Sequence, residues 1–195
     1  LFDTASNDRK LEGSALTSSR SGRLEAMGVD VRWVNKIMHH KFMIVDGARE
    51  ALDAADHSVL VTGSGNWSSG AATKYDENTL FLRAYPELSL RFQREFDLLW
   101  RGSRDLEANP ALVSDMTALP IDEADLPVEP GMHVHFTSDN FDVDGETFRT
   151  NGRVTVSDAL VRAIAGAERR VLVASGHLRS RPVAEAIAAR IADRP

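Results

Sequence analysis

The first half of the chain alternates short apolar runs with polar segments. Apolar and polar positions alternate over residues 29–34, and residues 42–45, 59–62 and 78–83 contain short apolar stretches. Alternation is typical of a strand with one buried face, and a short apolar run bounded by polar residues is typical of a buried strand. We therefore predict neighbouring β-strands at these four places.

An amphipathic stripe follows the predicted strands. Leu88, Phe92, Phe96 and Trp100 recur at every fourth position, so they share one face of a helix. We expect this face to pack on the sheet as part of the core. Residues 13–22, by contrast, are rich in Ser and Gly, a composition that predicts a mobile loop.

The second half of the chain changes in character. Acidic residues accumulate over residues 115–129, where prolines interrupt regular structure, so we predict a linker and a domain boundary there. Beyond the linker, the pattern predicts a helix capped by Ser157, a strand at residues 171–174 and a helix with an apolar stripe through Ile187. Strands that alternate with helices indicate the α/β class, in which helices pack on the faces of a sheet.

The composition excludes several classes of protein. The 195 residues carry a formal net charge of −6 at a sequence pI near 5.5, which weakens an assignment as a phosphate-tracking nucleic-acid binder. The chain has no cysteine, which excludes disulfides, thiolate nucleophiles and thiolate metal sites. It contains no run of the roughly 18–20 apolar residues that a membrane-spanning helix needs, and no signal-peptide pattern opens it. Neither observation indicates a cellular compartment.

Two polar segments beside the predicted strands carry groups suited to phosphate chemistry. Strand alternation would place His39 and Lys41 on the same side of the chain, so an imidazole and an ammonium group converge. A neutral imidazole can attack phosphorus, while the ammonium neutralises the non-bridging oxygens as negative charge develops on them. Ser64 and Asn66, also two residues apart, offer uncharged donors to the same oxygens. Gly63 leaves the backbone beside them free of bulk, which would let a phosphate approach closely.

The order and spacing of these residues resemble the signature of the phospholipase D superfamily. That signature is a His, any residue, a Lys, four residues and an Asp, followed downstream by a Gly-Ser-any-Asn segment. Six positions of this chain match it in order: His39, Lys41, Asp46, Gly63, Ser64 and Asn66. The resemblance is close over residues 24–105 and weaker over residues 154–191.

The resemblance implies a role for each residue and a fold. In the superfamily the histidine, here His39, forms a phosphohistidine intermediate, and the residues matched by Lys41 and Asn66 hold the phosphate. Asp46 would be largely structural or would orient its neighbours, and Glu77 stands where a carboxylate usually orients the nucleophilic histidine. The implied fold is α/β, a phospholipase D-like mixed sheet flanked by helices. No cluster of metal ligands surrounds the motif in the sequence, so we expect catalysis without a metal ion or another cofactor.

Two features depart from the superfamily pattern. The interval between Asp46 and Gly63 is longer than usual, and its polar sequence predicts an extended hairpin loop. No second His-any-Lys motif follows the first, although the superfamily needs a second histidine to protonate the leaving group. The nearest candidate, residues 133–135, lacks the lysine. We therefore expect the second half-site to come from sequence beyond residue 195 or from the partner in a homodimer.

These features together predict three regions of the chain. Residues 1–113 would form a first phospholipase D-like repeat, which carries the motif and lacks its N-terminal part. Residues 114–152 would form an acidic linker that contains prolines. Residues 153–195 would be the beginning of a second phospholipase D-like repeat.

Several other polar residues have simpler interpretations. His40 should point away from His39 and is predicted to be structural, while His57 and His177 are predicted to be solvated, with a place at the site as the alternative for His177. Residues 140–151 resemble the opening of a calcium loop but lack the glutamate expected at its twelfth position. A solvated acidic turn is therefore the favoured interpretation.

The sequence thus predicts a metal-independent phosphodiesterase of the phospholipase D type that works through a phosphohistidine and passes the phosphoryl group to water or an alcohol. A phospholipid is the favoured substrate. Two alternatives stay open: a nuclease of the same superfamily acting on DNA or RNA, and a non-catalytic binding scaffold that keeps one half-site. An apolar rim beside His39 would favour a lipid, a basic groove lined by aromatic residues would favour the nuclease, and an occluded or partnerless His39 would favour the scaffold.

Overall fold

A three-stranded sheet runs through the part of the chain that carries the motif. In the computed structural model, which describes residues 1–3, 10–112 and 119–193, the strands are β3 (Phe42–Val45), β4 (Val59–Gly63) and β5 (Thr79–Arg83). They lie in the order β3-β4-β5, and both pairings are antiparallel. The three predicted strands in this region are confirmed.

The register of this sheet decides which chain segments meet. Phe42, the first residue of β3, lies opposite Thr62 of β4, and Gly63 at the end of β4 lies opposite Thr79 at the start of β5. The start of β3, the end of β4 and the start of β5 therefore lie at one end of the sheet. We call this end the motif end.

A second sheet combines both strand directions. Its strands are β1 (Phe2–Asp3), β2 (Arg32–Val34) and β6 (Ser103–Asp105), in the order β1-β2-β6. β1 is parallel to β2, and β6 is antiparallel to it, so the sheet is mixed. The strand predicted at residues 29–34 is shorter than expected, since β2 begins at Arg32 and Val29 is 47% exposed. It is also not a neighbour of β3 and β4, as was predicted, because it pairs with β1 and β6 in this separate sheet.

The long helix α4 (Pro86–Arg101) packs against the first sheet. Proline at its first position supplies a φ angle suited to a helix start. The ring of Phe92 meets that of Phe42 in β3 edge-on, with 5.0 Å between centroids. Phe96 stacks on Trp100 at 5.5 Å, so the predicted apolar stripe faces the core. The predicted helix and its packing on the sheet are confirmed.

Residues 13–22 contradict the predicted mobile loop. They form α1 (Gly13–Ser18) and the start of α2 (Arg20–Ala26), and the Ser19 hydroxyl caps α2 by accepting a bond from the Gly22 amide at 3.0 Å. Partly buried leucines of both helices pack against a buried cluster, which offsets the low helix propensity of Ser and Gly. The members of this packing are Leu16, Leu24, Val31, Trp33, Leu106 and Ala108.

The connection between β3 and β4 is an extended hairpin loop, as predicted. It contains a 3-10 helix over Leu52–His57 and buries Ala48 and Ala55 against Leu90 of α4. Ile121, from later in the chain, joins the same cluster. The long loop is therefore packed and ordered by the core.

Residues 123–129 also pack on α4. Glu87 and Glu129 exchange hydrogen bonds, each accepting from the other's amide, at 3.1 and 2.9 Å. Arg91 donates to Glu87 and to Glu123, each at 2.8 Å, and this bonding lowers the pKa of both carboxyl groups. Residues 114–118 of the predicted linker lie outside the described residues.

The chain divides into two compact units. One comprises residues 1–134 with 143–148, and the other comprises residues 135–142 with 149–195. The assignment of residues 114–152 as a linker and of residues 153–195 as a second repeat stays a prediction.

The C-terminal part of the chain contains a hairpin and two helices. The elements are β7 (Phe141–Asp144), β8 (Thr147–Thr150), α5 (Thr155–Ala165), α6 (Arg181–Asp193) and, between the last two helices, an irregular segment. Residues 140–151 thus form the predicted turn, here a hairpin with Gly145 at a φ of 53°.

Two details of this region were predicted wrongly. Ser157 lies inside α5 rather than at its cap, because the helix begins at Thr155, whose amide donates to Asn140 Oδ1 at 3.0 Å. Residues 171–174 form no strand, and among the described residues no segment pairs with them; Leu172 is 85% exposed. An apolar run becomes a strand only when a neighbour satisfies its backbone groups. No helix in the described ranges is long and apolar enough to span a bilayer.

Candidate active site

The predicted chemical groups lie on three segments that converge at the motif end of the first sheet. Residues 39–41 lead directly into β3, residues 64–66 follow β4 directly, and Glu77 stands two residues before β5. Antiparallel pairing brings these segments together, because it places the start of one strand beside the end of the next. The imidazole of His39, the hydroxyl of Ser64 and the amide of Asn66 are on exposed residues.

The segment that holds His39 and Lys41 is fixed by the lysine itself. Lys41 Nζ donates to the main-chain carbonyl oxygen of His39 at 2.6 Å. The ammonium therefore lies beside the segment that carries the imidazole, although its contact is with the carbonyl group and not with the ring. Within the described residues, the imidazole of His39 makes no hydrogen bond, and residue 39 is exposed.

Ser64 is the centre of a small polar network. Its hydroxyl donates to Glu77 Oε2 at 2.6 Å and accepts from the amide and the side-chain Nδ2 of Asn78, at 3.0 and 3.2 Å. A hydroxyl has only one proton to donate. In this arrangement Ser64 therefore holds Glu77 and the start of β5 in place and does not at the same time donate to a phosphate. Sequence reasoning missed Asn78.

The predicted contact between Glu77 and His39 is not present in this structure. Among the described residues, Glu77 forms its hydrogen bond with Ser64, and no ion pair joins it to His39. An orienting role for Glu77 stays a prediction. It would require the carboxylate to leave the Ser64 hydroxyl and to bond to the His39 imidazole instead.

Asn66 has an ordered backbone and an available side chain. Its carbonyl oxygen accepts from the Ser68 amide at 2.8 Å, and the Ser68 hydroxyl caps the short helix α3 (Ser69–Thr73). In the described part of the chain, the Asn66 side-chain amide makes no hydrogen bond. It can therefore donate to an incoming anion without first breaking an internal bond.

Gly63 and Gly65 differ in how much room the structure leaves for a side chain. A Cβ atom on Gly63 would lie 2.1 Å from the Asn78 carbonyl oxygen, so the close approach of β4 and β5 excludes a side chain there. A Cβ atom on Gly65 would lie 3.4 Å from the Cβ of Glu77, an ordinary contact. Packing alone thus accounts for Gly63, and its predicted role beside the phosphate stays a prediction.

Asp46 lies away from the other motif residues. It follows β3, whose whole length separates it from Lys41, a distance of about 16 Å at the usual rise of a strand. It is exposed and has a φ of 54°, a left-handed conformation that aspartate tolerates better than most residues. The geometry suits the structural role that the resemblance implies, in the turn that opens the hairpin loop.

His40, between the two motif residues, points into the protein. Its Nε2 lies 2.8 Å from Oε1 of Glu95 in α4, and the two side chains are 24% and 2% exposed. The sequence signal for Glu95 was present but unused, because its spacing from Phe92 and Leu99 puts a carboxylate on the buried face of α4.

A group of three carboxylates lies elsewhere, around β6. Oxygen atoms of Glu25, Asp30 and Asp105 lie within 4.8 Å of one another, and no comparable group of possible metal ligands in the described residues includes a motif residue. Burial raises the pKa of Glu25, the charge of Asp105 raises it further, and bonds from backbone amides, including that of Asn109 at 2.8 Å, oppose the shift.

Exposed apolar side chains flank the motif segments in the sequence. Ile37, two residues before His39, is 79% exposed, and Trp67, next to Asn66, is 66% exposed. Tyr75, two residues before Glu77, is also 66% exposed and lies along Gly70 of α3. Each of the three motif segments therefore has a large apolar side chain in contact with solvent.

Comparison with known proteins gives similarities to a family model and to several named proteins. A family model described as "Cardiolipin synthase, PLD-like domain" matches residues 4–100. The chain is 36% identical to the mitochondrial cardiolipin hydrolase of Danio rerio over 91 residues, which cover 45% of this chain and 35% of that protein. It is 41% identical to the protein of the same name from Chlamydomonas reinhardtii over 63 residues, 32% of this chain and 23% of that protein. The mouse protein of that name is 36% identical over 88 residues, 44% of this chain and 35% of that protein. The chain thus spans about a third or less of the length of these relatives.

Proposed function

Residues 4–100 of this chain belong to the phospholipase D superfamily, and from this membership we propose that the chain provides one half-site of a phosphodiesterase with His39 as its nucleophile. The observation that carries the proposal is the sheet register, which gathers the segments of His39, Asn66 and Glu77 at the motif end. His39 is exposed there, so a substrate can reach it.

The chemistry proposed for the half-site has two displacements. A ring nitrogen of His39 attacks phosphorus, and the bond from phosphorus to the leaving alcohol breaks as a general acid protonates that oxygen. Water then attacks the phosphohistidine, which releases the phosphate product and frees the imidazole; an alcohol in place of water would give transfer. The Lys41 ammonium and the Asn66 amide would stabilise the charge on the non-bridging oxygens.

The favoured substrate is a phospholipid. The exposed side chains of Ile37, Trp67 and Tyr75 provide apolar contacts beside the motif, which suit an acyl or interfacial region better than a charged nucleic-acid backbone. The names of the relatives point the same way, since they are called cardiolipin hydrolases and cardiolipin is a lipid with phosphodiester bonds. A nuclease activity would instead require binding of a polyanion by a chain with a net charge of −6.

The general acid is proposed to come from a second His-any-Lys half-site. Only one such motif occurs in these 195 residues. The second would be supplied by further sequence of the protein or by another copy of the chain related by a two-fold axis.

One observation favours a second candidate function, a binding scaffold that retains the half-site without catalysis. In the described residues the His39 imidazole makes no hydrogen bond, and the Glu77 carboxylate is bonded to Ser64. A catalytic histidine normally has a group that fixes its tautomer. The two candidates differ in whether His39 becomes phosphorylated.

A substrate with an activated leaving group separates the candidates. With bis(p-nitrophenyl) phosphate the leaving group departs as a stable anion, so phosphorylation of His39 needs no second histidine. We expect a burst of p-nitrophenolate close to one equivalent per chain, absent in His39→Ala and retained in His57→Ala, which removes an exposed histidine from the hairpin loop. A parent chain without a burst supports the scaffold, and a burst retained by His39→Ala assigns the chemistry to another residue.

A further inference from the structure

His40 joins the two motif residues to the protein interior. Its imidazole is directed toward α4, where Glu95 is 2% exposed at the side chain and lies 2.8 Å from His40 Nε2. Phe92 precedes Glu95 in α4 by three residues, and Phe96 follows it directly. Both rings meet the ring of Phe42, the first residue of β3, edge-on. The His40 imidazole also meets the Phe42 ring edge-on, with 5.6 Å between centroids, so the pair lies beside the aromatic residues of the core.

The burial of Glu95 makes this contact energetically important. An ionised carboxylate taken out of water loses several kcal/mol of hydration unless charged or polar partners replace it. His40 supplies a short contact, and the charge of Glu95 also acts on Lys36, where it partly offsets the lowering of the lysine pKa by burial. Because Glu95 is on a helix that is itself packed in the core, it is a rigid point of attachment.

The contact between His40 and Glu95 restrains the backbone segment that carries His39. Residues 39–41 precede the first paired residue of β3, so the sheet ladder does not include them. Two side chains hold this segment: Lys41 bonds to the His39 carbonyl from one side, and His40 contacts Glu95 on the other. In the described residues the His39 imidazole has no hydrogen bond of its own, so its position follows from that of its backbone.

We propose that His40 and Glu95 are positioning residues, a pair that fixes the backbone of His39 so that its imidazole is held for attack on phosphorus. The inference rests on the proposed function for the chemistry, and it adds two residues outside the signature motif to the machinery of the half-site. Neither residue touches the substrate; both act through the peptide that links His39 to Lys41.

The test compares matched variants of the full chain in the burst assay with bis(p-nitrophenyl) phosphate. His40→Ala removes the contact, and His40→Gln keeps a donor close to the place of Nε2. Glu95→Gln removes the charge without changing the shape. Asp97→Asn is the control, because Asp97 is a buried carboxylate of the same helix that bonds to Arg49 and Gln93 instead of the motif segment.

We expect the maximal burst rate of His40→Ala to fall by about 10- to 100-fold, the size of effect that a shift of roughly 1 Å in a reacting group produces. The substrate concentration for half-maximal rate should change much less, since the variant leaves Lys41 and Asn66 in place. His40→Gln should recover most of the rate, Glu95→Gln should lose about tenfold, and the double variant His40→Ala/Glu95→Gln should be no slower than His40→Ala, as expected for residues that act as a unit. Asp97→Asn should lower the melting temperature and leave the burst rate within about threefold of the parent.

A second readout does not depend on the chemistry. The imidazole resonances of His39, assigned with His39→Ala, should shift or broaden in His40→Ala and Glu95→Gln and stay unchanged in Asp97→Asn. Folded His40→Ala and Glu95→Gln with parental burst rates overturn the positioning role, and so do unchanged His39 resonances. A parent that shows no burst while His39 resonances respond to His40→Ala refutes the proposed function alone and leaves the positioning of His39 supported.

Discussion

Replacing Gly63 by alanine tests whether the close approach of β4 and β5 holds the motif end together. The added Cβ would lie 2.1 Å from the Asn78 carbonyl oxygen and 2.9 Å from Thr79 Cα, both backbone atoms that cannot rotate away. An ordinary contact between carbon and oxygen is at least about 3.3 Å, so the start of β5 must move by roughly 1 Å. That movement strains the bond from the Ser64 amide to Asn78, now 3.1 Å long.

The cost follows from these two changes. Overpacking a tight contact typically costs about 1–3 kcal/mol, and a weakened backbone hydrogen bond adds about 1 kcal/mol. Together they predict a loss of roughly 2–4 kcal/mol in the free energy of unfolding, or a melting temperature about 5–15 °C lower for a domain of this size. At temperatures where the variant is still folded, its burst rate should also be lower than that of the parent, because Glu77 and Asn78 move with β5.

Gly65→Ala is the matched control, since it adds the same methyl group two residues away. Its Cβ would meet the Cβ of Glu77 at 3.4 Å, and its φ angle is not in the left-handed region. We expect a change within about 0.5 kcal/mol. Thermal unfolding followed by circular dichroism compares the two variants with the parent. A melting temperature for Gly63→Ala equal to that of Gly65→Ala refutes the strand-contact argument.

Three further predictions concern metal ions, pH and completeness of the site. Exhaustive chelation should leave the burst unchanged, because Lys41 and Asn66 supply the charge stabilisation; loss of the burst that added metal restores is the contrary result. The folded-state pKa of Glu25 is above its ordinary value of 4.5, so the stability it contributes is present below that value and is lost as the pH rises through the raised pKa. Glu25→Gln should therefore gain in melting temperature relative to the parent as the pH rises from below 4.5 through the raised pKa, and a constant difference contradicts the argument. As a monomer in sedimentation, the chain should hydrolyse a phospholipid about 10²- to 10⁴-fold more slowly than an assembly with a second half-site, and a fully active monomer contradicts the half-site proposal.

Local periodicity predicted the elements that depend on local packing. The strands β3, β4 and β5 and the helix α4 each have apolar residues at the spacing of their own secondary structure, and each lies within a few residues of its predicted limits. The motif residues were predicted from their spacing within short segments and from the resemblance to the superfamily, and the sheet register brings the segments of His39, Asn66 and Glu77 to the motif end.

The errors arose where distant residues decide the outcome. The Ser- and Gly-rich residues 13–22 are helical because leucines of α1 and α2 reach a cluster that includes Trp33 and Leu106. Residues 171–174 have strand propensity and no paired neighbour among the described residues. Likewise, the pairing of His40 with Glu95 joins residues that are 55 positions apart, which no local pattern specifies.

The most direct test of the central claim is to locate the phosphoryl group after turnover begins. The chain is mixed with bis(p-nitrophenyl) phosphate, denatured in base during the burst and digested, and the peptides are analysed by mass spectrometry. A phosphorylated peptide that contains His39, stable in base and lost in acid, is the predicted result, with no such peptide from His39→Ala. An adduct on any other residue, or a burst without an adduct, contradicts the assignment of His39 as the nucleophile.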